Sequence, residues 1–176
     1  RATKYINYSD DWRVYQVDGP GRILDDVRAM SRWVSQRENG RQLAVVGNCL
    51  TGIFPLGLMD EPHIRTGVIA QPASPLKKWY HVIWQVPQLP WHNPALGLSY
   101  RHLHAGLDAL EKHPHKRLYG FHYSHDPLAS FSKFENLNGK LERRGISDQF
   151  RTVILAPAAD LPRLREASWT VVEEAH

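Results

Sequence analysis

The chain has 176 residues, of which 42% are hydrophobic, and this length and composition fit one globular domain or a large piece of one. The formal net charge is +4, and the acidic and basic residues are mixed along the chain. No cluster of basic residues is larger than a short pair such as Lys116-Arg117, which excludes the concentrated positive surface that binds nucleic acid. We therefore predict a single domain over residues 1–176 with no nucleic-acid partner.

The single cysteine, Cys49, excludes an internal disulfide and suits a reducing compartment, so we expect a cytoplasmic protein. No apolar run approaches about 18 residues, which predicts that no segment spans a membrane. The chain begins at Arg1 instead of Met, so a targeting segment further upstream would not be seen in this sequence.

The first 21 residues contain no motif with recognisable chemistry, and they end in the turn-forming sequence Gly19-Pro20-Gly21. Apolar residues then recur at helical spacing, which predicts a helix from Ile23 to about Gln36. Asn39-Gly40 is a typical signal for the end of a helix.

A strand, a tight turn and a helix are predicted next. Leu43 to Val46 is a short apolar run typical of a buried strand, and Gly47-Asn48-Cys49-Leu50-Thr51-Gly52 follows it. The apolar residues Ile53, Leu56 and Leu58 then suit the buried face of a helix, with Pro55 in its first turn. This succession is the nucleophile elbow of an α/β-hydrolase.

Each residue type in the elbow has a chemical reason. Gly47, Thr51 and Gly52 are small, so backbone can pass close to a residue held in a strained conformation. The N-terminus of the following helix favours the thiolate of Cys49, and the N–H of Leu50 faces a developing oxyanion. The alternative is that Cys49 is only a small buried hydrophobic residue, since the string G-x-C-x-T-G is weak when taken alone.

Residues Thr66 to Ala70 are predicted to form a second buried strand, parallel and adjacent to the first because a helix connects them. The character of the chain then changes, since prolines alternate with tryptophan and tyrosine across residues 73–99. This segment is either a cap over a substrate pocket or an irregular excursion packed on the surface.

The remaining elements complete an α/β pattern. A helix is predicted from Ser99 to Lys112, and a third strand from Arg117 runs into a loop that carries Asp126 just past its carboxyl end. A helix from Ser130 to Leu141 and a fourth strand from Phe150 to Ala156 follow, and then a polar tail. The pattern predicts a mostly parallel sheet flanked by helices.

The order Cys49, Asp126 and a C-terminal histidine is the nucleophile–acid–histidine order of α/β-hydrolases. The chain resembles the dienelactone hydrolase (carboxymethylenebutenolidase-like) family over roughly residues 23 to 156. The resemblance lies in Val46-Gly-Asn-Cys-Leu-Thr-Gly52, Ala70-Gln-Pro72, Leu96-Gly-Leu-Ser99 and Ser124-His-Asp126-Pro-Leu followed by Phe134.

The resemblance implies hydrolysis of an ester or lactone through a cysteine acyl-enzyme, without a cofactor. It implies that Cys49 is the nucleophile, Asp126 the acid and His176 the base, with the N–H of Leu50 as one oxyanion donor. The family usually has glycine where Thr51 stands and an aromatic residue where Asn48 stands. Its early strands and second oxyanion donor have no counterpart before Ile23, so we predict that the chain lacks the N-terminal strands of the full fold.

Other residues leave alternatives open. His122 or His125 could serve as the base in place of His176, and Asp126 could simply form a turn before Pro127. The pairs His102/His104 and His113/His115 are interpreted as surface histidines and not as metal ligands, because side chains two residues apart on a helix diverge and no cysteine or carboxylate cluster completes a set.

Two classes of function are compatible with these features. The first is a hydrolase acting on a small-molecule ester or lactone. The second is a non-catalytic binding module that keeps the hydrolase fold, which the atypical Thr51 and the missing strands favour. The sequence is also compatible with a chain that is not stable by itself, because a broad unpaired sheet edge promotes aggregation. The sequence does not indicate an oligomeric state.

Overall fold

In a computed structural model of the chain, residues 21–75, 94–124, 126 and 129–155 are described. The elements in chain order are α1 (Gly21–Arg37), β1 (Leu43–Asn48), a 3-10 turn (Cys49–Thr51), α2 (Phe54–Leu58), β2 (Ile64–Ala70), α3 (Tyr100–Lys112), β3 (Arg117–Tyr123), α4 (Ser132–Glu142), a second 3-10 turn (Ser147–Gln149) and β4 (Phe150–Leu155). The greater part of the predicted cap, 76–93, lies outside the described residues, as do the predicted site residue His176 and the alternative base His125.

The four strands form one parallel sheet in the order β1-β2-β3-β4, which confirms the predicted strand–helix–strand unit and the α/β class. The chain always steps to the next strand in the same direction. Because the connections between successive parallel strands all have the same handedness, their helices lie on the same face of the sheet. Gly47 of β1 and Gly67 of β2 both face Pro55 of α2, and Gly120 of β3 faces Phe134 of α4 on the same side.

Where strand boundaries differ from the prediction, pairing explains the difference. β1 continues for two residues beyond Val46, because Gly47 and Asn48 still pair with Ile69 and Ala70 of β2. β2 likewise begins at Ile64 instead of Thr66, since Ile64 pairs with Leu43. The apolar pattern locates a strand, and the partner strand decides where it ends.

The helices begin where local hydrogen bonds allow. Ser99 is the N-cap of α3, and its Oγ accepts a hydrogen bond from the N–H of His102 at 3.2 Å. Helix α4 begins at Ser132, two residues later than predicted. The hydroxyls of Ser130 and Ser132 hydrogen-bond each other at 2.6 Å in the segment before it.

Helix α2 lies at the centre of the core. All five of its residues are buried, and they pack between the sheet, α1 and α3. A Cβ atom added at Gly106 of α3 would lie 2.1 Å from the carbonyl oxygen of Leu56, so α2 and α3 touch backbone to backbone. Gly57 in turn faces Leu24 of α1. Glycine is therefore required at position 106 for these helices to pack.

Buried charges hold the turn between α2 and β2, which the sequence presents only as a polar turn. Glu61 is 3% exposed and pairs with Arg28 at 2.6 Å and with Arg32 at 2.6 Å. Burial would raise the pKa of Glu61, but the hydrogen bonds from Arg32 and Arg28 outweigh it and the pKa lies below its usual value. The ammonium of Lys116, 2% exposed, donates to the carbonyls of Met59, Glu61 and Ile64 at 2.6–2.7 Å.

Among the described residues, no helix combines the length and the apolar character that crossing a membrane requires.

The two helical glycines Gly106 and Gly139 are expected to respond oppositely to the same substitution. Gly106→Ala should destabilise the fold by about 3 kcal/mol or more, because the new methyl group meets backbone that cannot move without separating α2 from α3. Gly139→Ala should stabilise it by about 0.5–1 kcal/mol, because an added Cβ there has only Arg143 Nη1 nearby, at 3.6 Å. Urea denaturation of both variants measures this, and equal effects would contradict the backbone contact.

Candidate active site

Cys49 follows β1 directly, at the carboxyl end of the sheet. Its φ angle is +55°, in the left-handed region that residues with a side chain seldom adopt, and its side chain is exposed. Such a conformation costs about 1 kcal/mol or more and persists only where the surrounding structure enforces it. A strained, exposed cysteine between a strand and a helix has the backbone form predicted for a nucleophile elbow.

Two glycines enforce this conformation. A Cβ atom at Gly47 would lie 2.2 Å from the carbonyl oxygen of Thr51, and one at Gly52 would lie 2.5 Å from the Cα atom of Pro72. Both distances are far below van der Waals contact, so any larger residue would push the turn away from β1 or β2. Glycine at both positions therefore lets the backbone of the turn pass close to β1 and β2.

Thr51 braces the turn through its hydroxyl group. Its Oγ1 accepts a hydrogen bond from the N–H of Asn48 at 3.2 Å and donates one to the carbonyl of Asn48 at 3.0 Å. The hydroxyl thus closes the turn around Cys49 through two hydrogen bonds with the backbone of Asn48. The departure from glycine adds a brace that a glycine could not supply.

The residues after β2 hold the turn from its other side. The N–H of Ala73 donates to the carbonyl of Cys49 at 2.9 Å, and the hydroxyl of Ser74 donates to the carbonyl of Leu50 at 2.5 Å. The peptide groups on both sides of Leu50 are therefore fixed in direction. Since N–H groups in the first turn of a helix lack an intrahelical acceptor, the N–H of Leu50 is suited to an external acceptor.

The helix after the elbow is short. Cys49–Thr51 form a 3-10 turn, and α2 has only the five residues Phe54–Leu58, with Pro55 in its first turn as predicted. The chain must turn back after Leu58 to reach the start of β2 at Ile64. A helix of this length supplies only a small macrodipole to Cys49.

Asp126 lies three residues beyond β3, at the same edge of the sheet as Cys49, as predicted. Its Oδ1 accepts a hydrogen bond from the N–H of Ala129 at 3.1 Å, which ties the loop to the start of α4. Strand β2 separates the strands that lead to Cys49 and Asp126, which places the two chain segments about 10 Å apart. A group between them is needed to connect them.

His122, one of the alternative bases, lies in the core on the helix-covered face. It is 4% exposed, and its ring packs against Phe131 and Phe134 at centroid distances of 5.4 and 5.9 Å. Burial lowers its pKa, although the nearby Asp126 carboxylate acts in the opposite direction. Within the described part of the chain, no hydrogen bond joins it to Cys49.

The interpretation of His102 as a surface histidine is wrong. The residue is 8% exposed, its Nδ1 lies 3.0 Å from the hydroxyl of Ser99, and its Nε2 lies 3.5 Å from Asp25. It therefore stabilises the start of α3. In the part of the chain that the structure describes, no three histidine, cysteine or acidic side chains are grouped so that they could hold a metal ion.

Helix α4 holds the residues that follow the tryptophan-rich segment. The ammonium of Lys133 donates to the carbonyl of Ala95 at 2.7 Å, and the amide of Asn136 donates to the carbonyl of Pro94 at 2.7 Å. Lys133 is fully buried, and burial lowers its pKa to about 8. The start of α4 thus connects the Asp126 loop to the end of the predicted cap.

Gln71, which the sequence analysis names only as part of a motif, lies at the same edge of the sheet as Cys49 and Asp126. It follows β2 between the strands of Cys49 and Asp126, and its φ angle is +47°. Both its side-chain amide atoms are buried without a hydrogen-bond partner among the described residues. Its position directly after a central parallel strand was the available signal.

No protein-family model matches the chain, and no curated protein matches it in sequence. Among solved structures, it is similar to the esterase Pf2001 of Pyrococcus furiosus in space group P21, with a TM-score of 0.52, 13% identity, and coverage of 90% of this chain and 62% of that one. In space group P212121 the same esterase gives a TM-score of 0.50, 14% identity, and coverage of 88% and 60%.

A monoacylglycerol lipase from Paleococcus ferrophilus is also similar, with a TM-score of 0.47, 12% identity, and coverage of 76% of this chain and 65% of that one. The chain thus spans 62% of the length of the first esterase structure. At these identities, the likeness to Pf2001 shows the fold: the parallel sheet and its helices are part of an α/β-hydrolase fold, as predicted.

Lys133 is expected to make stability depend on pH above neutrality. Its native pKa of about 8 lies below the value of about 10.4 in an unfolded chain, so between these values the unfolded state binds more protons. The free energy of unfolding should therefore rise with pH from about 8 to about 10. Lys133→Met should remove this rise and should be more stable than the wild type at pH 7 by about 1–3 kcal/mol.

The comparison uses urea denaturation across this pH range, with Lys140→Met of the same helix as the matched control. Lys140 is half-buried and is not expected to alter the profile. Parallel profiles for wild type and Lys133→Met would contradict the assignment.

Proposed function

We propose that the chain is a cysteine-dependent hydrolase of carboxylic esters or lactones, of dienelactone hydrolase type. Cys49 is the nucleophile, His176 the base and Asp126 the acid that orients the histidine. The N–H of Leu50 is one oxyanion donor. The substrate is a small molecule, and no cofactor takes part.

The observation that carries the proposal is the left-handed backbone of Cys49 at the carboxyl end of a parallel strand. Packing does not require this strain, because an exposed side chain contributes little to the core. Gly47, Gly52 and Thr51 support the strained turn from three directions. A structural cysteine has no need of this arrangement, whereas a nucleophile must project from the sheet toward a substrate.

The reaction has two stages. The thiolate of Cys49 attacks the ester carbonyl, the N–H of Leu50 stabilises the oxyanion, and the C–O bond breaks as His176 gives its proton to the leaving alcohol. Water then attacks the thioester, His176 accepts its proton, and the acid is released with regeneration of Cys49. Asp126 holds the imidazole and stabilises its charged form in both stages.

Because helix α2 is short, the histidine must supply a larger part of the activation of the Cys49 thiol. A free cysteine is only a few per cent thiolate at neutral pH, and a five-residue helix adds little to that fraction. Most of the reactivity in the proposed reaction must then come from proton transfer to His176. Loss of the histidine should therefore reduce Cys49 to an ordinary thiol.

Alkylation of Cys49 by iodoacetamide tests this pair. At pH 7 the wild-type chain should react roughly tenfold or more faster than free cysteine, and His176→Ala should react at the free-cysteine rate. Since the chain has one cysteine, the rate of thiol loss reports Cys49 alone. His115→Ala, at an exposed position before β3, is the matched control and should keep the wild-type rate. A free-cysteine rate in the wild type would favour the binding-module alternative.

Hydrolysis of short-chain p-nitrophenyl esters tests the whole mechanism. Cys49→Ala should abolish turnover, and Cys49→Ser should retain at most residual activity, because a hydroxyl is far less readily deprotonated than a thiol. Asp126→Asn should lower kcat by about 10³–10⁴-fold through misorientation of the histidine. Asp148→Asn, exposed in the turn before β4, should leave kcat unchanged. Wild-type turnover in Cys49→Ala would exclude the cysteine mechanism.

A further inference from the structure

An open cavity of about 340 Å³ lies between helix α4 and strand β4. This volume is at the lower end of the range of about 300–1,000 Å³ that is typical of small-molecule sites. In the described sheet β4 has a neighbour on one side only, β3, so the cavity lies at the side of the sheet away from β1 and Cys49. It is therefore separate from the candidate active site. The residues that line it are Phe131, Phe134, Glu135, Asn138, Phe150 and Thr152.

The spacing of these residues explains why they meet. The four residues of α4 and its N-cap recur at intervals of three and four, so they form one stripe along the helix. The two residues of β4 are two apart, so they lie on the same face of the strand. Since Gly120 of β3 faces both Phe134 and Phe150, this is the helix-covered face of the sheet.

Three phenylalanine rings form a preformed floor. Phe134 stacks on Phe150 with ring centroids 6.0 Å apart and an interplanar angle of 15°, and Phe131 lies 6.0 Å from Phe134. A Cβ atom at Gly120 would lie 2.6 Å from Phe134 Cε1 and 3.0 Å from Phe150 Cζ, so the two rings sit directly on β3. Both rings are buried, and Phe131 is half-buried. The floor is therefore apolar and needs no rearrangement to receive a ligand.

Three oxygen-bearing groups at the cavity are available to a ligand. Glu135 is exposed, and its carboxylate makes no ion pair or hydrogen bond with another described residue. Asn138 donates an amide N–H to Glu142 at 3.1 Å, which leaves its carbonyl oxygen as an acceptor. The hydroxyl of Thr152, on the exposed side of β4, is the third group. The polar part of the cavity thus accepts hydrogen bonds and carries a negative charge.

The lysines of α4 are engaged elsewhere. The ammonium of Lys133 donates to the carbonyl of Ala95 at 2.7 Å. Lys140 lines a different cavity, beside Arg144. The charge of Glu135 is therefore left for a cation from outside the helix.

These groups select the ligand. A primary ammonium has a positive charge and three N–H donors, which match the carboxylate, the amide carbonyl and the hydroxyl. An aromatic ring attached to it matches the phenylalanine floor. An anion is repelled by Glu135, and a neutral ligand leaves that charge unpaired. We infer that the cavity between α4 and β4 binds a small primary arylalkylamine in its ammonium form.

NMR titration of the full chain with three probes tests this inference. Phenethylamine carries the ammonium and the ring, 2-phenylethanol replaces the ammonium by a hydroxyl, and butylamine lacks the ring. At pH 7 phenethylamine should bind with a Kd of about 1 mM or tighter and shift the backbone amides of α4 and β4. The alcohol should bind about three- to fivefold more weakly because it has no charge to pair with Glu135. Butylamine should bind at least about threefold more weakly because it leaves the floor uncovered.

Substitutions at exposed positions separate this site from general attraction of cations. Glu135→Gln should reduce the preference for phenethylamine over 2-phenylethanol to less than about twofold. Glu38→Gln is the matched control, since it removes the same charge at an exposed position just past α1, and it should keep the wild-type preference. Thr152→Lys places an ammonium of the protein's own at the cavity and should raise the Kd of phenethylamine about tenfold or more.

Four results would overturn the inference. They are the absence of binding up to about 20 mM phenethylamine, shifts that lie outside α4 and β4, equal binding of the amine and the alcohol, and a preference that survives Glu135→Gln. Because the titration measures binding without turnover, its outcome is independent of the proposed hydrolase function.

Discussion

Close contact between three backbone segments fixes the carboxyl edge of this sheet. The end of β1, the turn that carries Cys49 and the end of β2 approach so closely that a methyl group at Gly47 or Gly52 would fall within 2.5 Å of backbone atoms. The N–H of Ala73 and the hydroxyl of Ser74 then donate hydrogen bonds to the carbonyls of Cys49 and Leu50 in the turn. Because the segments are mutually fixed, Cys49 can remain in a conformation that it would leave if the turn were free.

The two ends of the sheet differ in how their polar groups are satisfied. At the amino end, Glu61 and Lys116 are almost fully buried, and each makes several short hydrogen bonds. At the carboxyl end, Cys49 and Gln71 have strained backbones, and the amide of Gln71 has no partner among the described residues. Buried ion pairs thus lie where β2 begins, and residues with a left-handed backbone lie where β1 and β2 end. This is the distribution expected when ligands bind at the carboxyl edge of a parallel sheet.

Local patterns predicted the elements well because each has a clear apolar period and a clear end signal. Ser99 marks the start of α3 by a side-chain hydrogen bond within one turn, which is local information. The burial of Lys133 does not follow from the local sequence, since its ammonium donates a hydrogen bond to a carbonyl 38 residues away. The burial of Glu61 depends in the same way on arginines about 30 residues earlier. The polar residues around Glu61 therefore give no local sign that its carboxylate is buried in ion pairs.

The candidate site was predictable in part for the same reason. The positions of Cys49 and Asp126 follow from strand order, because parallel strands end at one edge. The apolar residues Ile53, Leu56 and Leu58 predict a buried helix, which the structure has at Phe54–Leu58. Gln71 gives no periodic signal at all, since its significance lies in a φ angle and in two missing hydrogen bonds.

The short helix changes the physical basis of reactivity in the proposed enzyme. In an elbow followed by a long helix, the macrodipole and a histidine share the stabilisation of the thiolate. Here α2 ends after five residues, because the chain must return through the Glu61 turn to begin β2. The ion pairs that fix this turn therefore shorten the helix that would otherwise support the cysteine. The stability of the amino edge and the dependence of Cys49 on its histidine are consequences of the same turn.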